Sequence, residues 1–415
     1  MVIQRAKRML PSMVSRTFKS LKHRNYRLWF LGQTFSLFGT WMQITAQGFL
    51  VFELTHSPAY LGLIGFAAGI PVLLLTPYGG VVADRVSRRK ILLATQASMM
   101  LLAFLLAALT FMNMAEPWHI ALLAFLLGIA NAFDAPARQA FVLDMVSRED
   151  LTNAISLNGT MINLALVVGP ALAGITYAAF GPAWCFILNG ISFISVIIAL
   201  LMMKLPRSVR PENRSTALAD LKEGFRYTRS HPTAVALLCV VGITSLFGMA
   251  FVTIIPAWAV TILKGDAQTN GFLQTARGAG ALIVALWVAS LGGVKSKRNL
   301  LFLGVFLTPL LLIAFAYVHS LELALFFILL SGGANILLLN MAFNLLQTST
   351  TDKFRGRVMG INSLVFFGFQ PIGSLWIGAF AEYFGEQSAV LVSALVFLLG
   401  AVILWKISPA LRKLE

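Results

Sequence analysis

Twelve apolar segments alternate with short polar breaks along the 415-residue chain. A helix needs about 20 predominantly apolar residues to cross the hydrocarbon core of a membrane, and each segment is of about that length. The pattern predicts an all-α membrane protein with twelve transmembrane spans. Their predicted bounds are 27–51, 59–83, 91–113, 117–140, 153–179, 183–203, 233–262, 271–291, 300–318, 321–347, 357–382 and 387–406.

One long polar stretch, residues 204–232, divides the spans into two sets of six. Prolines at 206, 211 and 232 bracket it, and the part from Ala217 to Arg229 has the composition of a helix. We therefore expect a linker with a short surface helix between a first half at 27–203 and a second half at 233–406. Terminal segments at 1–26 and 407–415 complete the predicted organisation.

The two halves are related in sequence. A shift of 204 positions aligns four pairs of identical residues at matching points of spans five and eleven: Asn158 with Asn362, Gly174 with Gly378, Phe180 with Phe384 and Gly181 with Gly385. The order of spans and the basic loops also match between the halves. A duplicated six-helix unit follows, which is a common building plan of transporters.

Composition and charge agree with a membrane protein. The chain is 58% hydrophobic and only 12% charged, far from the balance of a soluble domain. Its net charge of +16 does not indicate a nucleic-acid partner, because the cations fall between apolar segments instead of along one soluble face. The first 26 residues lack the sustained apolar core of a cleavable signal.

The placement of the cations predicts the orientation. Of the 32 lysines and arginines, 30 lie in the terminal segments and at the junctions between spans 2–3, 4–5, 6–7, 8–9 and 10–11. The opposite loops hold Lys264, and Arg277 lies inside span eight. Cytoplasmic loops are enriched in Lys and Arg. We therefore expect both termini and the linker in the cytoplasm of a bacterial cell, with the spans in its inner membrane.

Enzyme chemistry is not indicated. The sequence contains no GxxxxGK[ST] nucleotide loop, and no nucleophile triad or metal-ligand cluster can be assembled from it. Its two cysteines, Cys185 and Cys239, both lie in apolar runs. We expect no enzymatic activity, no cofactor and no metal site.

The stretch "YGGVVADRVSRRKILL" (78–93) interrupts the apolar pattern between spans two and three. Its cations satisfy the topology rule by themselves, but the rule does not require its carboxylate, Asp84. The stretch resembles the cytoplasmic signature Gly-x-x-x-Asp-Arg-x-Gly-Arg-Arg/Lys of the major facilitator superfamily, with Ser87 where the signature has its second glycine. The matching residues, the first part of the predicted gating motif, are Gly80, Asp84, Arg85, Arg88 and Arg89.

Other stretches narrow the resemblance. "NYRLWFLGQTFSLFGTWM" (25–42), "NAFDAPARQAFVLDMV" (131–146), "VGPALAG" (168–174) and "RGRVMGINS" (355–363) resemble a branch of bacterial exporters that includes the enterobactin exporter and macrolide efflux proteins. The resemblance implies twelve helices in two pseudo-symmetric halves and transport by alternating access. It does not carry over a substrate, because one fold serves many.

The resemblance also implies a gate at the cytoplasmic side. In the family, the motif carboxylate faces the amino terminus of span eleven, here near Arg357, and closes the cytoplasmic side. Asp134 and Arg138, four residues apart on span four, complete the predicted gating motif, and the family pattern couples Asp134 to Arg88. The alternatives are a basic turn that merely obeys topology and a local ion pair.

A binding cavity is predicted from polar residues inside the spans. Arg277 is the candidate anchor for an anionic or carbonyl-rich substrate, because an intramembrane cation is costly; the alternatives are snorkelling and pairing with Glu53, Asp266 or Glu382. Amides avoid lipid, so they face the cavity or bond neighbouring helices. The other predicted substrate-binding residues are Gln33, Trp41, Gln43, Gln47, Asn163, Gln274, Asn340, Asn344 and Gln370, with Asn131 and Asn335 as further candidates.

Proton coupling needs a group that changes protonation between the two sides of the membrane. No carboxylate lies in the middle of a span, so Glu53 and Glu382, near the outer ends, are the coupling candidates. The reason for choosing them is that burial would raise their pKa. The alternative is that both are ordinary interfacial carboxylates.

These features together predict a proton-coupled exporter of an amphipathic organic compound such as a siderophore, a drug or a related metabolite. Its expected partners are that small molecule, the proton and membrane lipid, and the expected state is a monomer. Uptake of a nutrient, flipping of a lysolipid and a non-transporting membrane receptor are the alternatives.

Overall fold

The computed structural model describes residues 18–204, 217–291 and 296–412, with the side chains of all of them except 217–221. The helices of the first six spans are Arg24–Thr55, Pro58–Arg85, Arg88–Phe111, Pro117–Phe141, Leu151–Phe180 and Pro182–Met202. Span seven covers Pro232–Thr261. Spans eight to twelve are Ala267–Ser290, Lys297–Ala316, Leu321–Ser349, Asp352–Phe384 and Glu386–Ile407.

Eleven of these helices are long and apolar enough to cross a membrane. Span one, Arg24–Thr55, has 32 residues and is more polar, because its glutamines at 33, 43 and 47 replace apolar side chains. The predicted span ends differ from the observed ones by at most five residues. The predicted linker helix is also confirmed at Ala217–Arg229.

Span seven is not the continuous helix that its apolar pattern predicts. After Pro232–Ile243 the backbone widens into a π-helix at Thr244–Gly248, tightens into a 3-10 helix at Ala250–Ile254 and resumes at Ile255–Thr261. Pro256 stands in the first turn of the last segment, where its missing N–H is tolerated. The predicted span at 233–262 is thus confirmed in extent, but a hydropathy pattern does not report local changes in helical pitch.

The structure repeats at the predicted offset of 204 residues. Gly181 and Gly385 have φ angles of 86° and 81°, a region that favours glycine, and each separates two consecutive spans at the same end of the molecule. Gly174 and Gly378 occupy equivalent crossings: a Cβ on Gly174 would lie 3.3 Å from the Cα of Gly271, and a Cβ on Gly378 would lie 2.8 Å from the Cα of Gly62. The halves are therefore duplicated in three dimensions.

Two opposite ends of the molecule are distinguished below. The end with the basic loops, where spans one, three, five, seven, nine and eleven begin, is called the basic end. The other is called the opposite end. At the opposite end, a buried cluster around Phe49 and Phe52 includes Ala257 and Ala267 from the second half. At the basic end, one buried cluster uses only residues of the first half and another only residues of the second half. Within the described part of the chain, the halves thus share a buried core only at the opposite end.

The polypeptide entering span one is fixed to the start of span five. Asp150, whose side chain is fully buried, forms ion pairs with Lys19 (3.0 Å) and Lys22 (2.7 Å) and a hydrogen bond with His23 Nε2 (2.8 Å). Hydrogen bonds from Lys22, His23 and Lys19 hold the pKa of Asp150 well below its usual range. The Tyr26 hydroxyl donates to the carbonyl of residue 154 at 2.8 Å. The entry to span one is thereby rigid.

The second half uses different contacts at the equivalent place. The linker helix packs on the start of span eleven, where Tyr227 stacks on Phe354 with ring centroids 4.4 Å apart. Glu223 pairs with Arg357 at 2.5 Å, and Tyr227 also stacks on His231. The linker helix is therefore attached to the start of span eleven.

Candidate functional site

A central cavity of about 3040 Å³ lies between the halves. It is lined mainly from spans one, two, four and eleven, with smaller contributions from spans three, five, six, seven and eight. Its mouth at the basic end is lined by the whole predicted gating motif on the first half and by Lys353, Gly356 and Arg357 on the second. The cavity is therefore open at the basic end.

The opposite end of the cavity is closed by two helix crossings. Spans two and eleven meet at Gly62, whose Cβ would lie 2.6 Å from the carbonyl oxygen of Ser374. Spans five and eight meet at Gly278, whose Cβ would lie 2.3 Å from the carbonyl oxygen of Leu166. Nearer the basic end, a Cβ added to Gly80 of span two or to Gly360 of span eleven would meet nothing within 4 Å. Spans two and eleven are thus in close contact only away from the basic end.

The gating motif is held within the first half by specific contacts. Arg88 pairs with Asp144 at 2.8 Å and donates to the carbonyl of residue 140 at 3.2 Å. Arg89 donates to the carbonyl of Leu201 at 2.9 Å. In this conformation Arg88 therefore contacts Asp144 instead of the predicted Asp134. No sequence pattern indicated this partner, which lies in the 3-10 turn after span four.

Asp134 forms with Arg138, at 3.5 Å, the local ion pair that the sequence left as an alternative. Its carboxylate also accepts hydrogen bonds from Thr95 (2.8 Å) and Gln96 (2.9 Å) of span three, and the residue is 1% exposed. A buried carboxylate is tolerated when several donors satisfy it. Asp134 thus joins spans three and four into one unit.

Ser87, which replaces the second glycine of the family signature, does not loosen the turn. Its φ is −58°, which any residue can adopt. Spans two and three are separated by Val86 and Ser87 alone. Glycine is therefore not needed at this position for backbone conformation.

Most predicted substrate-binding residues line the cavity. Those that do are Gln33, Trp41, Gln43, Gln47, Asn131, Gln274, Arg277 and Gln370. Asn163, Asn340 and Asn344 are half-buried and lie outside the cavity lining in this conformation, as does Asn335. Span ten, which carries three of these residues, packs behind span eight. Polarity shows that a residue avoids lipid but not which protein surface it meets.

The cavity wall carries amides with free hydrogen-bonding capacity. Asn189, which sequence reasoning missed, donates to Gln43 Oε1 at 2.6 Å. The Oε1 atoms of Gln33 and Gln96 are buried and lack a hydrogen-bond partner within the described part of the chain. Such atoms are costly to bury unless something satisfies them, and a bound solute can do so.

Arg277 lines the same cavity from span eight. Its Nε donates to Gln274 Oε1 at 3.3 Å. Among the residues that the structure describes, no carboxylate lies within 4.0 Å of its guanidinium. The alternative partners suggested by the sequence have other contacts: Tyr177 donates to Glu53, Thr269 donates to Asp266, and Glu382 accepts from span two.

Glu53 and Glu382 lie at the opposite end, and both are exposed. The burial that motivated their choice as proton-coupling candidates is therefore absent in this conformation. Glu382 accepts hydrogen bonds from Ser57 and from the backbone of Ala59. Over the described residues, no group of three or more His, Cys, Asp or Glu side chains is placed to hold a metal ion.

The sequence matches the model of a protein family described as transmembrane secretion effectors over residues 15–415. The chain belongs to this family of the major facilitator superfamily. Of its relatives, the staphyloferrin A transporter of Staphylococcus aureus is 25% identical over 359 residues, covering 86% of this chain and 90% of that protein. The enterobactin exporter of Escherichia coli is 25% identical over 398 residues, covering 94% and 93%.

A solved structure shows the same fold. The bacterial homolog of the human lysosomal transporter Spinster, in its inward-facing and unoccupied conformation, aligns with a TM-score of 0.72 and 16% identity over 94% of this chain and 98% of that one. The predicted superfamily and exporter branch are thus confirmed. This secretion effector is a multi-pass membrane transporter of small molecules and not an enzyme.

Proposed function

We propose that this chain is a secondary active exporter of the bacterial inner membrane. It binds an amphipathic organic compound, a siderophore, a drug or a related metabolite, from the cytoplasm and releases it outside by alternating access, using inward proton flow. The observation that carries the proposal is the large cavity, with amides and Arg277 in its wall, which is open at the basic end and closed at the opposite end. The positive-inside rule assigns the basic end to the cytoplasm, so the cavity is poised to receive a cytoplasmic solute.

Arg277 gives the substrate its expected charge. A cation inside a membrane span is costly unless an anion or several acceptors satisfy it, and the described part of the chain offers its guanidinium one amide oxygen. A carboxylate or a carbonyl-rich group of the substrate would complete its hydrogen bonds. The surrounding amides, with Trp41, suit the remaining amphipathic body of such a compound.

The relatives support this substrate class. The two relatives described above are named for staphyloferrin A and enterobactin. We extend to this chain the direction of export and the broad class of compound. Glu53 and Glu382 remain the coupling candidates, and the proton, membrane lipid and a monomeric state remain part of the proposal.

Transport in inverted membrane vesicles tests the proposal. The vesicles expose the cytoplasmic side, so an exporter accumulates labelled substrate in their lumen when the lumen is acidic. Collapse of the pH gradient with a protonophore should abolish accumulation. Loss of preloaded substrate from the vesicles instead would indicate an uptake carrier, and accumulation of a spin-labelled lysolipid would indicate a flippase. The absence of any flux would leave a receptor role.

The role of Arg277 as an anchor for an anionic substrate is tested separately. Arg277→Gln should raise the apparent KM for an anionic substrate about tenfold or more, as expected for loss of a charge-assisted hydrogen bond, and should spare a neutral analogue. Arg298→Gln, at the start of span nine and away from the cavity, is the matched control. Equal effects of Arg277→Gln on both substrates would contradict the assignment of Arg277 as an anion anchor.

A further inference from the structure

Glu382 makes a hydrogen-bonded bridge between the two halves at the opposite end. It lies near the end of span eleven, which runs Asp352–Phe384. Its carboxylate accepts from the Ser57 hydroxyl at 2.6 Å and from the backbone N–H of Ala59 at 3.2 Å. Both donors belong to the start of span two in the other half, Ser57 being its N-cap. A carboxylate is favourable there because the first N–H groups of a helix lack intrahelical partners.

The bridge stands directly above a tight helix crossing. Gly62 of span two and Gly378 of span eleven bring the two backbones together: a Cβ on Gly378 would meet the carbonyl oxygen of Pro58 at 2.6 Å. About two turns farther into the membrane, a Cβ on Gly69 would meet Pro371 at 2.1 Å. The crossing positions Glu382 over the start of span two, so its hydrogen bonds form only while this end is closed.

At the equivalent crossing of spans five and eight, the Thr275 hydroxyl donates to the carbonyl of Val167 at 3.3 Å, but no carboxylate bridges the halves there among the described residues. There, Gly174 and Gly271 also meet closely, but Asp266 caps its own helix by accepting from the N–H of Thr269 at 3.0 Å. Glu53 accepts from Tyr177 of its own half. Among the carboxylates that the structure describes at the opposite end, Glu382 alone is hydrogen-bonded across the halves.

We infer that Glu382 is a gate-positioning residue that holds the opposite end of the transporter closed. It acts on the same two helices as Asp84, but at their other ends. Each residue lies near the carboxyl end of its helix, and the partner helix begins beside it: span two for Glu382, and span eleven for Asp84 by the family resemblance. The inference rests on the alternating access of the proposed function, and it differs from the proton-coupling role that the sequence suggested for Glu382.

Opening of the closed end breaks these hydrogen bonds and returns their groups to water. Removing the carboxylate should therefore favour the open form without disturbing the fold. Because hydrogen bonds to a charged group contribute more than neutral ones but this site is solvent-exposed, we expect the ratio of open to closed molecules to rise about three- to tenfold.

Spin-label distances measure this ratio directly. Labels at Met112 and Tyr317, which are exposed at the opposite end of the first and second half, report its separation in nanodiscs, in a background carrying Cys185→Ala and Cys239→Ala. Glu382→Ala should increase the long-distance population, and Ser57→Ala should do the same. The long-distance population of the double variant should be close to that of each single variant, because the two residues form one interaction. The thermal unfolding midpoint should stay within about 2 °C of the parent.

Glu386→Ala is the matched control, since it removes a nearby carboxylate at the start of span twelve and should leave the populations unchanged. Unchanged populations in both Glu382→Ala and Ser57→Ala, or an equal shift in Glu386→Ala, would overturn the inference. If Glu382→Ala cannot be purified, the long-distance population of Ser57→Ala alone tests the inference: an increase supports it, and no change overturns it. A parent that shows one distance under every condition would instead contradict alternating access, and with it the proposed function.

Discussion

Spans two and eleven meet at one end of the molecule and separate at the other. At the opposite end, their backbones touch at Gly62 and Gly378, and hydrogen bonds join Glu382 to Ser57. At the basic end, a Cβ added to Gly80 or Gly360 would have no neighbour within 4 Å, and the cavity opens between the two helices. On the alternating access proposed above, this one pair of helices carries the gates at both ends.

The two ends differ in what closure requires. The opposite end is closed by small residues that allow close contact, which needs no charge compensation. The basic mouth is lined by cations from both halves, among them Arg85 and Arg88 on one side and Lys353 and Arg357 on the other. Like charges repel when brought together, so closure of the basic end needs carboxylates such as Asp84 between them. Close packing and the hydrogen bonds of Glu382 join the halves at the opposite end, and we expect charge balance to govern closure of the basic end.

The largest effect is expected from Gly62→Ala. Its new Cβ would lie 2.6 Å from the carbonyl oxygen of Ser374, so the backbones of spans two and eleven must separate. Overpacking typically costs about 1–3 kcal/mol, which corresponds to a shift of roughly five- to 150-fold in the equilibrium away from the closed opposite end. Gly159→Ala, where a Cβ meets nothing within 4 Å, is the control. Spin-label distances at that end that do not change in Gly62→Ala would contradict the packing account.

Asp84→Asn should act at the basic end and in the other direction. Without the carboxylate, the cations of the two halves repel each other, so the form closed at the basic end is destabilised and the transport rate should fall about tenfold. Asp352→Asn, which removes an exposed carboxylate paired with Arg355 of its own helix, is the control. Unchanged transport together with an unchanged inward-to-outward accessibility ratio would show that Asp84 has no role in gating.

Asp134→Asn tests whether the first half moves as one unit. The substitution leaves Arg138 without its carboxylate and disturbs the hydrogen bonds from Thr95 and Gln96. We expect the free energy of unfolding in detergent to fall by about 1–3 kcal/mol. Asp144→Asn, which removes a more exposed partner from Arg88, should cost about 1 kcal/mol or less. Equal free energies of unfolding for the two variants would contradict the argument that the buried Asp134 contributes more to stability than the more exposed Asp144.

The smallest effect concerns the rigid entry to span one. Because hydrogen bonds from Lys22, His23 and Lys19 lower the pKa of Asp150, its contribution to stability is complete above the unfolded value of about 3.9. It is lost as the pH falls through the lower folded value. Titration of Asp150 should therefore cause no change in the backbone amide exchange rates of residues 18–23 between about pH 5 and 8, once these are corrected for intrinsic rates. Asp150→Asn should accelerate it at every pH, and equal exchange in variant and parent would contradict the docking.

Sequence patterns specified the helices better than the contacts between them. Hydrophobic length placed the spans, and the offset of 204 residues located Gly181 and Gly385, because both depend on local properties of the chain. Two features depend instead on which helices are neighbours in the fold: the pairing of Arg88 with Asp144, and the position of Asn340 behind the cavity. No single residue specifies which helices become neighbours. Glu382 was found as an outer carboxylate, but its bridge to Ser57 needs the folded crossing.

The central claim, alternating access, is tested most directly by spin-label distances measured at both ends of the protein under the same conditions. Labels at Lys90 and Thr348, exposed at the basic end, complement those at Met112 and Tyr317, and both pairs are measured in nanodiscs with and without transported substrate and across a pH series. Alternating access predicts that whenever the distance at the basic end shortens, the distance at the opposite end lengthens in the same fraction of molecules. A basic end that stays open under every condition, or two ends that change independently, would contradict the account.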